Sequence, residues 1–398
     1  MDFNDTPSEA SFRKEVRDWL KQNVPTEDEL NGLTEIQQCK LWQRRKFDAG
    51  WACIRWPEQY GGRGASAIEH VIWEQEESKY DLPTGIFDIG IGMAAPTLMH
   101  WGTDQQKRQH LPKLASGEHI WCQLFSEPIA GSDLAGIRSR AVREGDTWVL
   151  NGQKIWTSGA HYSDFGIIVV RTDPTVPKHD GLTYFFVDVK SPGIDVKPIK
   201  QISGSSNFNE VFFQNVTIPD GNRLGEVGQG WQVSITTLMN ERAALGTGGG
   251  GVVFKNLFDL ASQLMIKDRP AIDDSHVRSM LANWYCQESG LRYTGYRALT
   301  ALSRGETPGP EHSISKLVGA SKIQDMASFA LDLLEMAGSL STSEQARYFD
   351  TFLNSPGYRV AGGTDEIMLN ILAERVLGLP QEVRVDKGIP FNEVPTGS

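Results

Sequence analysis

Residues 236–251, TTLMNERAALGTGGGG, combine a carboxylate with a run of glycines. Gly246, Gly248 and Gly251 satisfy the spacing G-x-G-x-x-G, which in dinucleotide-binding proteins cradles phosphate groups. Glu241, just ahead of them, has the side chain of a general acid or base. The two chemistries predict different surroundings, because a dinucleotide cradle requires a buried strand before the glycines and a helix after them.

The elements around this stretch exclude the dinucleotide cradle. From about 121 to 230 the chain contains short runs rich in β-branched and aromatic residues, including TWVLNGQKIWTS, FGIIVVRT and LTYFFVDV. Long helices do not alternate with these runs, so they predict an antiparallel β domain and not a doubly wound parallel sheet. The glycines follow the exit loop RLGEVGQGW of this β domain, and the strand–glycine–helix order is missing.

The two flanking segments show helical periodicity. Near the start, SEASFRKEVRDWLKQNV predicts a helix with Ser8 as its N-cap. Its apolar face recurs every four residues, at Phe12, Val16, Leu20 and Val24. After residue 230 the period returns, for example in SISKLVGASKIQDMASFALDLLEMAG. We therefore predict a helical domain over 1–120, a β domain over 121–230 and a helical domain over 231–398.

Composition excludes several classes of function. The chain has 398 residues and a formal net charge of −11, so it lacks the basic excess of a general nucleic-acid binder. Its four cysteines show no C-x-x-C spacing, which argues against structural zinc or a disulfide framework and fits a reducing compartment. The sequence contains no apolar run of 18 residues and begins with a polar, acidic stretch. These features predict a cytoplasmic enzyme that uses no metal and binds neither membrane nor nucleic acid.

Three long motifs carry a resemblance to a known family. They are CQLFSEPIAGSDLAGI at 122–137, NGQKIWTSGAHYSDFGIIVVRTD at 151–173 and AGGTDEIMLNILAERVLGLP at 361–380. In this order, within a helix–β–helix layout, they resemble the acyl-CoA dehydrogenases, and the resemblance covers nearly the whole chain. It implies an α+β multidomain fold: an N-terminal helical domain, a middle antiparallel, barrel-like β domain and a C-terminal four-helix bundle.

The resemblance also implies an activity and a set of binding residues. Members use FAD to oxidise the Cα–Cβ bond of an acyl-CoA to a trans-2-enoyl-CoA, and electron-transferring flavoprotein usually accepts the electrons. The positions that match the family's flavin contacts are Gln123, Phe125, Ser126, Trp156, Thr157, Ser158, Thr364 and Glu366. The positions that match its substrate contacts are Ser132, on a turn that meets the CoA portion, and Arg242.

The catalytic base departs from the commonest family pattern. Many members carry it directly before the Gly-Thr of the third motif, where this chain has Gly362. Isovaleryl-CoA and long-chain acyl-CoA dehydrogenases instead place it before an arginine on the first helix after the β domain, which matches Glu241-Arg242. We therefore predict Glu241 as the base. The alternative role for the pair is an ordinary ion pair on a helix surface.

Several alternatives remain open at the level of sequence. Gly246 and residues 248–251 fit a wide acyl pocket, for branched or ring-bearing groups, or a kinked helix packed closely on its neighbour. A flavin oxidase or monooxygenase could share the fold. The resemblance implies a homodimer or homotetramer. A family motif that contacts FAD across subunits is absent from 265–281, which favours the alternative of a partner-dependent, even non-catalytic, subunit of a heterotetramer.

Overall fold

The computed structural model of the chain describes residues 5–245, 252–303, 309, 312–340 and 345–395. Gly246 and residues 248–251 lie outside this part, and with them the choice between a wide pocket and a kinked helix. The chain forms two compact units. The first comprises Met1–Lys200, Ser206–Glu241 and Arg384–Ser398, and the second comprises Gln201–Ser205 and Arg242–Val383.

The first unit begins with helices whose starts are set by short polar side chains. The helices are α1 (Pro7–Asn23), α2 (Glu27–Leu30), α3 (Glu35–Asp48), α4 (Ala67–Glu77), α5 (Ala95–Trp101) and α6 (Asp104–Ala115). Thr6 caps α1 in a capping box with Glu9, and Pro7 occupies the first turn, so the helix begins before the predicted cap Ser8. The predicted apolar face is correct at Val16 and Leu20, which are fully buried.

The sheet of the first unit follows these helices. Its strands are β1 (Trp121–Leu124), β2 (Arg140–Glu144), β3 (Thr147–Ser158), β4 (Phe165–Arg171), β5 (Leu182–Asp188), β6 (Ile194–Ile199), β7 (Phe208–Pro219) and β8 (Arg223–Leu224). The order is β6-β7-β3-β2-β4-β5-β8, with β1 beside β4. Most pairs are antiparallel, as predicted, but both β1 and β2 run parallel to β4. A parallel neighbour needs a crossover, which the long segment containing β2 and β3 provides.

Both faces of the sheet are covered, which explains the unbroken apolar run of β4. Ile167 and Val169 pack into one core together with Leu98 and Leu111 from the helices. Ile168, on the opposite face, packs into a second core. Each such side chain contributes about 1.5–3 kcal/mol on burial. A strand buried on both sides shows no alternation of polar and apolar residues.

Helix α7 (Gly230–Leu245) follows the sheet, and the remaining elements belong to the second unit. They are β9 (Met265–Ile266), β10 (Arg269–Pro270), α8 (Phe254–Gln263), α9 (Ser275–Ser303), α10 (His312–Leu334), α11 (Ala346–Tyr358) and α12 (Asp365–Ile371). Leu257, Leu281, Trp284 and Met326 form the centre of their shared core. In the described ranges no helix is long and apolar enough to cross a membrane.

Candidate active site

Helix α7 carries Glu241 on the face that packs against the sheet. Val233, Thr237 and Glu241 follow one another at four-residue spacing, so their side chains lie on one side of the helix. Val233 and Thr237 are fully buried. The Thr237 hydroxyl lies 2.9 Å from the hydroxyls of both Tyr184, on β5, and Thr97, on α5. This face of α7 therefore fixes where the helix presents Glu241.

Glu241 contacts strand β1 directly. Gln123 Nε2 donates to Glu241 Oε2 at 3.3 Å, and both side chains are half-buried. Gln123 lies between Trp121 and Phe125 in the alternation of β1, on the face toward the helices. The sequence predicted a flavin-binding role for Gln123 but not this side-chain contact. The four-residue step from Thr237 to Glu241 was the available signal that the carboxylate faces the sheet.

The negative charge of Glu241 affects the pKa of the buried Tyr184. Burial raises the pKa of Tyr184, the hydrogen bond with Thr237 opposes this shift, and the negative charge of Glu241 adds to it. Tyr184 therefore stays neutral, and its hydroxyl can both donate and accept a hydrogen bond.

The loop after β1, which contains Phe125 and Ser126, is fixed by a buried ion pair. Lys154, on β3, is completely buried and donates to Glu127 Oε1, to the Phe125 carbonyl and to the Val169 carbonyl, each at 2.9 Å. The Ser126 carbonyl accepts from the Ile155 N–H at 2.9 Å. The loop is thus anchored to β3 through both its backbone and its side chains.

Glu127 has further partners on the other side of the same loop. Its carboxylate accepts from the backbone N–H groups of Arg138 at 2.6 Å and Ser139 at 2.9 Å. Burial alone would raise the pKa of Glu127, but the charge of Lys154 and the backbone donors lower it below its ordinary value. Burial lowers the pKa of Lys154, and the charge of Glu127 opposes this shift. Every part of the pair is hydrogen-bonded, which favours its charged form.

Trp156, Thr157 and Ser158 lie at the end of β3, where the pairing with β7 is irregular between Lys154 and Thr157, so that Trp156 lies within the irregularity. Trp156 has φ of 60° and is 56% exposed. A bulky residue in the left-handed region is unusual and indicates a functional constraint. Ser158 is half-buried and pairs with Phe208, whose ring lies edge-on to that of Trp156.

Next to this exposed ring is a buried polar atom without a partner. The Thr157 hydroxyl oxygen has no hydrogen-bond partner among the described residues, although Thr157 is only 1% exposed. Such atoms are rare in folded proteins and indicate a missing ligand or water. An exposed indole beside an unpaired hydroxyl fits a planar ligand with polar edges, which is the chemistry of a flavin ring.

Ser132 lies on an exposed bend that follows the anchored loop. Glu127 and Ala130 close this turn by pairing backbone groups at 2.9 and 3.0 Å. The next residue, Asp133, forms an ion pair with Lys178 at 2.9 Å. The Ser132 hydroxyl is thus presented at the surface of the first unit by a turn that is fixed at both ends.

The remaining predicted contacts belong to the second unit. Thr364 caps α12, its hydroxyl accepting from the Ile367 N–H at 3.2 Å, and Glu366 is exposed. Gly362, where many family members have the base, has φ of 67°. The side chain of Arg242 lies outside the described part of the chain, so its role in substrate binding stays a prediction.

Three family models together cover most of the chain. Residues 6–118 match the acyl-CoA dehydrogenase N-terminal domain, 122–216 match the middle domain and 228–377 match the C-terminal domain. The chain belongs to the acyl-CoA dehydrogenase family. It is an FAD-dependent oxidoreductase that acts on acyl-CoA thioesters, as the resemblance implied.

Similar curated proteins include acyl-CoA dehydrogenases of Mycobacterium tuberculosis. The acyl-CoA dehydrogenase IpdE1 of Mycobacterium tuberculosis is 35% identical over 392 residues, which cover 94% of this chain and 98% of that protein. FadE34 of the same organism is 40% identical over 338 residues, which cover 84% of this chain and 45% of that protein. Isovaleryl-CoA dehydrogenase of Pongo abelii is 26% identical, with 90% of this chain and 86% of that protein covered.

Two solved structures share the whole fold. The Tcur3481-Tcur3483 steroid ACAD has a TM-score of 0.79 and 26% identity, with 96% of this chain and all of that chain covered. The ChsE4-ChsE5 complex from Mycobacterium tuberculosis has a TM-score of 0.79 and 27% identity, with the same coverage.

Proposed function

We propose that Glu241 is the base that removes the α-proton from an acyl-CoA thioester, giving a trans-2-enoyl-CoA. The observation that carries the proposal is the contact between Gln123 and Glu241, which brings the carboxylate to the strand that leads into the Phe125–Glu127 loop. FAD, when bound, supplies the acceptor for the β-hydride. Glu241 takes the proton at a carboxylate oxygen, and Gln123 holds that carboxylate against the sheet.

The backbone at Gly362 supports the choice of Glu241 over the commoner position. Gly362 and the following Gly363 have φ of 67° and 96°. An L-residue in the left-handed region costs about 1–2 kcal/mol, so a glutamate at 362 would be strained in this fold. A Cβ at Gly363 would also lie 2.5 Å from Met368 Cε. Both positions have the backbone conformation that favours glycine, and neither carries a carboxylate.

We propose that two groups of residues in the first unit hold the flavin ring. The Phe125–Ser126 loop, with Gln123, provides polar groups from its anchored backbone, and Trp156, Thr157 and Ser158 provide an aromatic face and the unpaired hydroxyl. Thr364 and Glu366 remain proposed contacts for the ADP half of FAD. Ser132 and Arg242 remain the proposed substrate contacts.

The test is a comparison of two glutamates that each accept from a glutamine amide. Glu241→Gln should keep its flavin but reduce it about 10²–10⁴-fold more slowly with acyl-CoA under anaerobic conditions, because the base is lost. Glu210, half-buried and bonded to Gln153 Nε2 at 3.0 Å, provides the control Glu210→Gln. Wild-type rates of flavin bleaching in Glu241→Gln would show that another group removes the proton.

For the substrate, we propose an acyl-CoA with a bulky, ring-bearing acyl group. The support is the likeness to the Tcur3481-Tcur3483 steroid ACAD, together with small residues after Glu241 in the sequence. Anaerobic bleaching should be faster with a steroid side-chain CoA thioester than with palmitoyl-CoA or isovaleryl-CoA. Faster bleaching by either of the latter two would overturn this assignment and leave the role of Glu241 intact.

We propose that the protein works in the cytoplasm as an oligomer and passes electrons to electron-transferring flavoprotein. A heteromer with a second, related chain is a specific alternative to a homodimer or homotetramer, because the ChsE4-ChsE5 complex contains two different chains. The chain purified alone should bind FAD and be bleached if it forms a homo-oligomer. A colourless chain that gains flavin only with a partner would establish the partner-dependent subunit, and rapid reoxidation by O₂ would indicate an oxidase.

A further inference from the structure

The segment that follows Val383 returns to the first unit and lies on the loop between β4 and β5. The Phe391 N–H donates to the Val176 carbonyl at 2.9 Å, and the Asn392 N–H donates to the Pro174 carbonyl at 3.0 Å. Pro390 pairs with Pro177 in the same antiparallel manner. Residues 384–394, called here the return segment, are thus docked through backbone hydrogen bonds.

A first side-chain contact connects the return segment to the turn that carries Ser132. Asp386 forms an ion pair with Lys178 at 2.5 Å. The same ammonium group reaches both carboxylate oxygens of Asp133, at 2.9 and 3.0 Å. Lys178 is 14% exposed in this arrangement, so its charge lies between two carboxylates and away from most of the solvent. One lysine therefore bridges the return segment and the residue after Ser132.

A second contact passes through Arg171 at the end of β4. The Phe391 ring lies 3.6 Å from the Arg171 guanidinium carbon, close enough for a strong cation–π interaction. Arg171 is 2% exposed and donates to the Ala135 carbonyl at 2.5 Å and to the Lys178 carbonyl at 2.8 Å. Among the described residues no carboxylate forms an ion pair with this guanidinium, which donates to backbone carbonyls and packs against the Phe391 ring.

We propose that Asp386 and Phe391 are positioning residues for the loop Ser132–Gly136 and hold it in the conformation that receives the CoA end of the substrate. The proposal rests on the role of Ser132 proposed above. Phe391 covers the guanidinium that holds the Ala135 carbonyl, and Asp386 holds the lysine that fixes Asp133. A loop ordered in advance binds more tightly, because its entropy is not lost on binding.

The experiment has one readout that needs no substrate. In the full-length, flavin-loaded protein, hydrogen exchange of the Gly136 and Ile137 amides reports on this loop, because both are bonded within its turn. Phe391→Ala and Asp386→Asn should speed their exchange about 10-fold or more, whereas Phe391→Tyr should restore protection because it keeps the aromatic face. The controls are Val385→Ala, 82% exposed on the same segment, and Asp195→Asn, whose partner is the exposed Lys197.

The second readout separates the CoA end from the acyl end. In Phe391→Ala, KM for the acyl-CoA that bleaches the wild-type flavin fastest should rise about 5- to 20-fold with kcat within about twofold, whereas KM for the matching acyl-pantetheine thioester should stay unchanged. Unchanged exchange of the loop would overturn the proposal, and so would equal effects on the two thioesters. A wild-type protein that no acyl-CoA bleaches would overturn the proposed function alone, because loop exchange is measured without substrate.

Discussion

The loop around Glu127 and the end of β3 around Thr157 are neighbours in the first unit. They differ in whether their buried polar atoms have hydrogen-bond partners. Lys154 makes three hydrogen bonds while fully buried, and Glu127 accepts from Lys154 and two backbone N–H groups. The Thr157 hydroxyl is equally buried and has no partner among the described residues.

This difference distinguishes the groups that fix the structure of the site from the groups that are available to bind a ligand. A buried charge left without a partner would cost several kcal/mol, so charges inside the sheet are tolerated only where geometry satisfies them fully. A single hydroxyl costs about 1–3 kcal/mol when it is unpaired, which a fold can bear if a ligand later supplies the partner. Glu241 belongs to the part that does chemistry, and Gln123 Nε2 donates to one of its oxygens at 3.3 Å.

The largest effect is expected when one partner of the buried Lys154–Glu127 ion pair is removed and the other stays charged. Lys154→Met should lower the free energy of unfolding by about 3–5 kcal/mol, because the Glu127 carboxylate stays buried without its cation. The double variant Lys154→Met/Glu127→Gln should be more stable than the single one, since no charge remains. Urea unfolding of both proteins, followed by circular dichroism, measures the difference.

A surface pair provides the control for this experiment. Lys197 and Asp195 lie 3.0 Å apart, and both are about 60% exposed. Lys197→Met should change the free energy of unfolding by less than about 1 kcal/mol. The single variant Glu127→Gln completes the set of measurements. If the double variant lost as much free energy of unfolding as the two single variants lose together, the two charges would not be coupled, and the anchoring role would be wrong.

The unpaired hydroxyl predicts an effect of opposite sign on stability and on cofactor binding. Thr157→Val removes the hydroxyl while keeping its shape, so the apoprotein should be as stable as wild type or more stable by about 1 kcal/mol. FAD affinity of the apoprotein should fall about 10-fold, because the flavin loses a hydrogen-bond partner. Calorimetric titration with FAD and thermal unfolding of the apoprotein measure the two quantities.

Thr97 is the matched control, since its buried hydroxyl donates to the Met93 carbonyl at 2.8 Å and contacts Thr237. Thr97→Val should destabilise the protein by about 1–3 kcal/mol without changing FAD affinity. If Thr157→Val behaved in this way instead, its hydroxyl would be a structural group, and the proposed flavin contact would be wrong.

Local pattern predicted the fold class and the family, but not the contacts that fix the site. The strands and helices follow from runs of residue types, and the prediction of a helix–β–helix chain is confirmed. The parallel pairing of β1 with β4 and the bridge from Lys154 to Glu127 connect residues far apart in sequence, for which local periodicity holds no signal. The domain limits at 120 and 230 stay a prediction.

In the candidate site, too, the sequence predicted individual residues but not the contacts between them. Glu241 and Gln123 were each predicted from motifs, whereas their contact depends on how α7 lies on the sheet. The irregular pairing before Thr157 turns Trp156 outward, although a tryptophan in a strand normally packs in a core. Such an irregularity depends on the partner strand β7, so the sequence of β3 alone does not show it.

The smallest expected effect concerns an unpaired buried atom that we assign to no ligand. His110 Nδ1 has no partner among the described residues, and its ring lies edge-on to Trp121, Phe165 and Phe186. Burial lowers the pKa of His110 to about 4. The unfolded chain has the ordinary value of about 6.5 and binds the proton first, so this group's stabilisation is full above pH ~6.5 and is lost as pH falls toward 4.

His110→Phe should therefore weaken the acid dependence of stability, because the ring shape is kept and the titrating group is removed. Between pH 7.5 and pH 6, the fall in the free energy of unfolding should be about 1 kcal/mol smaller than in wild type. Urea unfolding at both pH values measures it, with the exposed His100→Gln as the control. FAD affinity at pH 7.5 should be unchanged, in contrast to Thr157→Val. A loss of affinity in His110→Phe would show that the unpaired nitrogen also serves the bound cofactor.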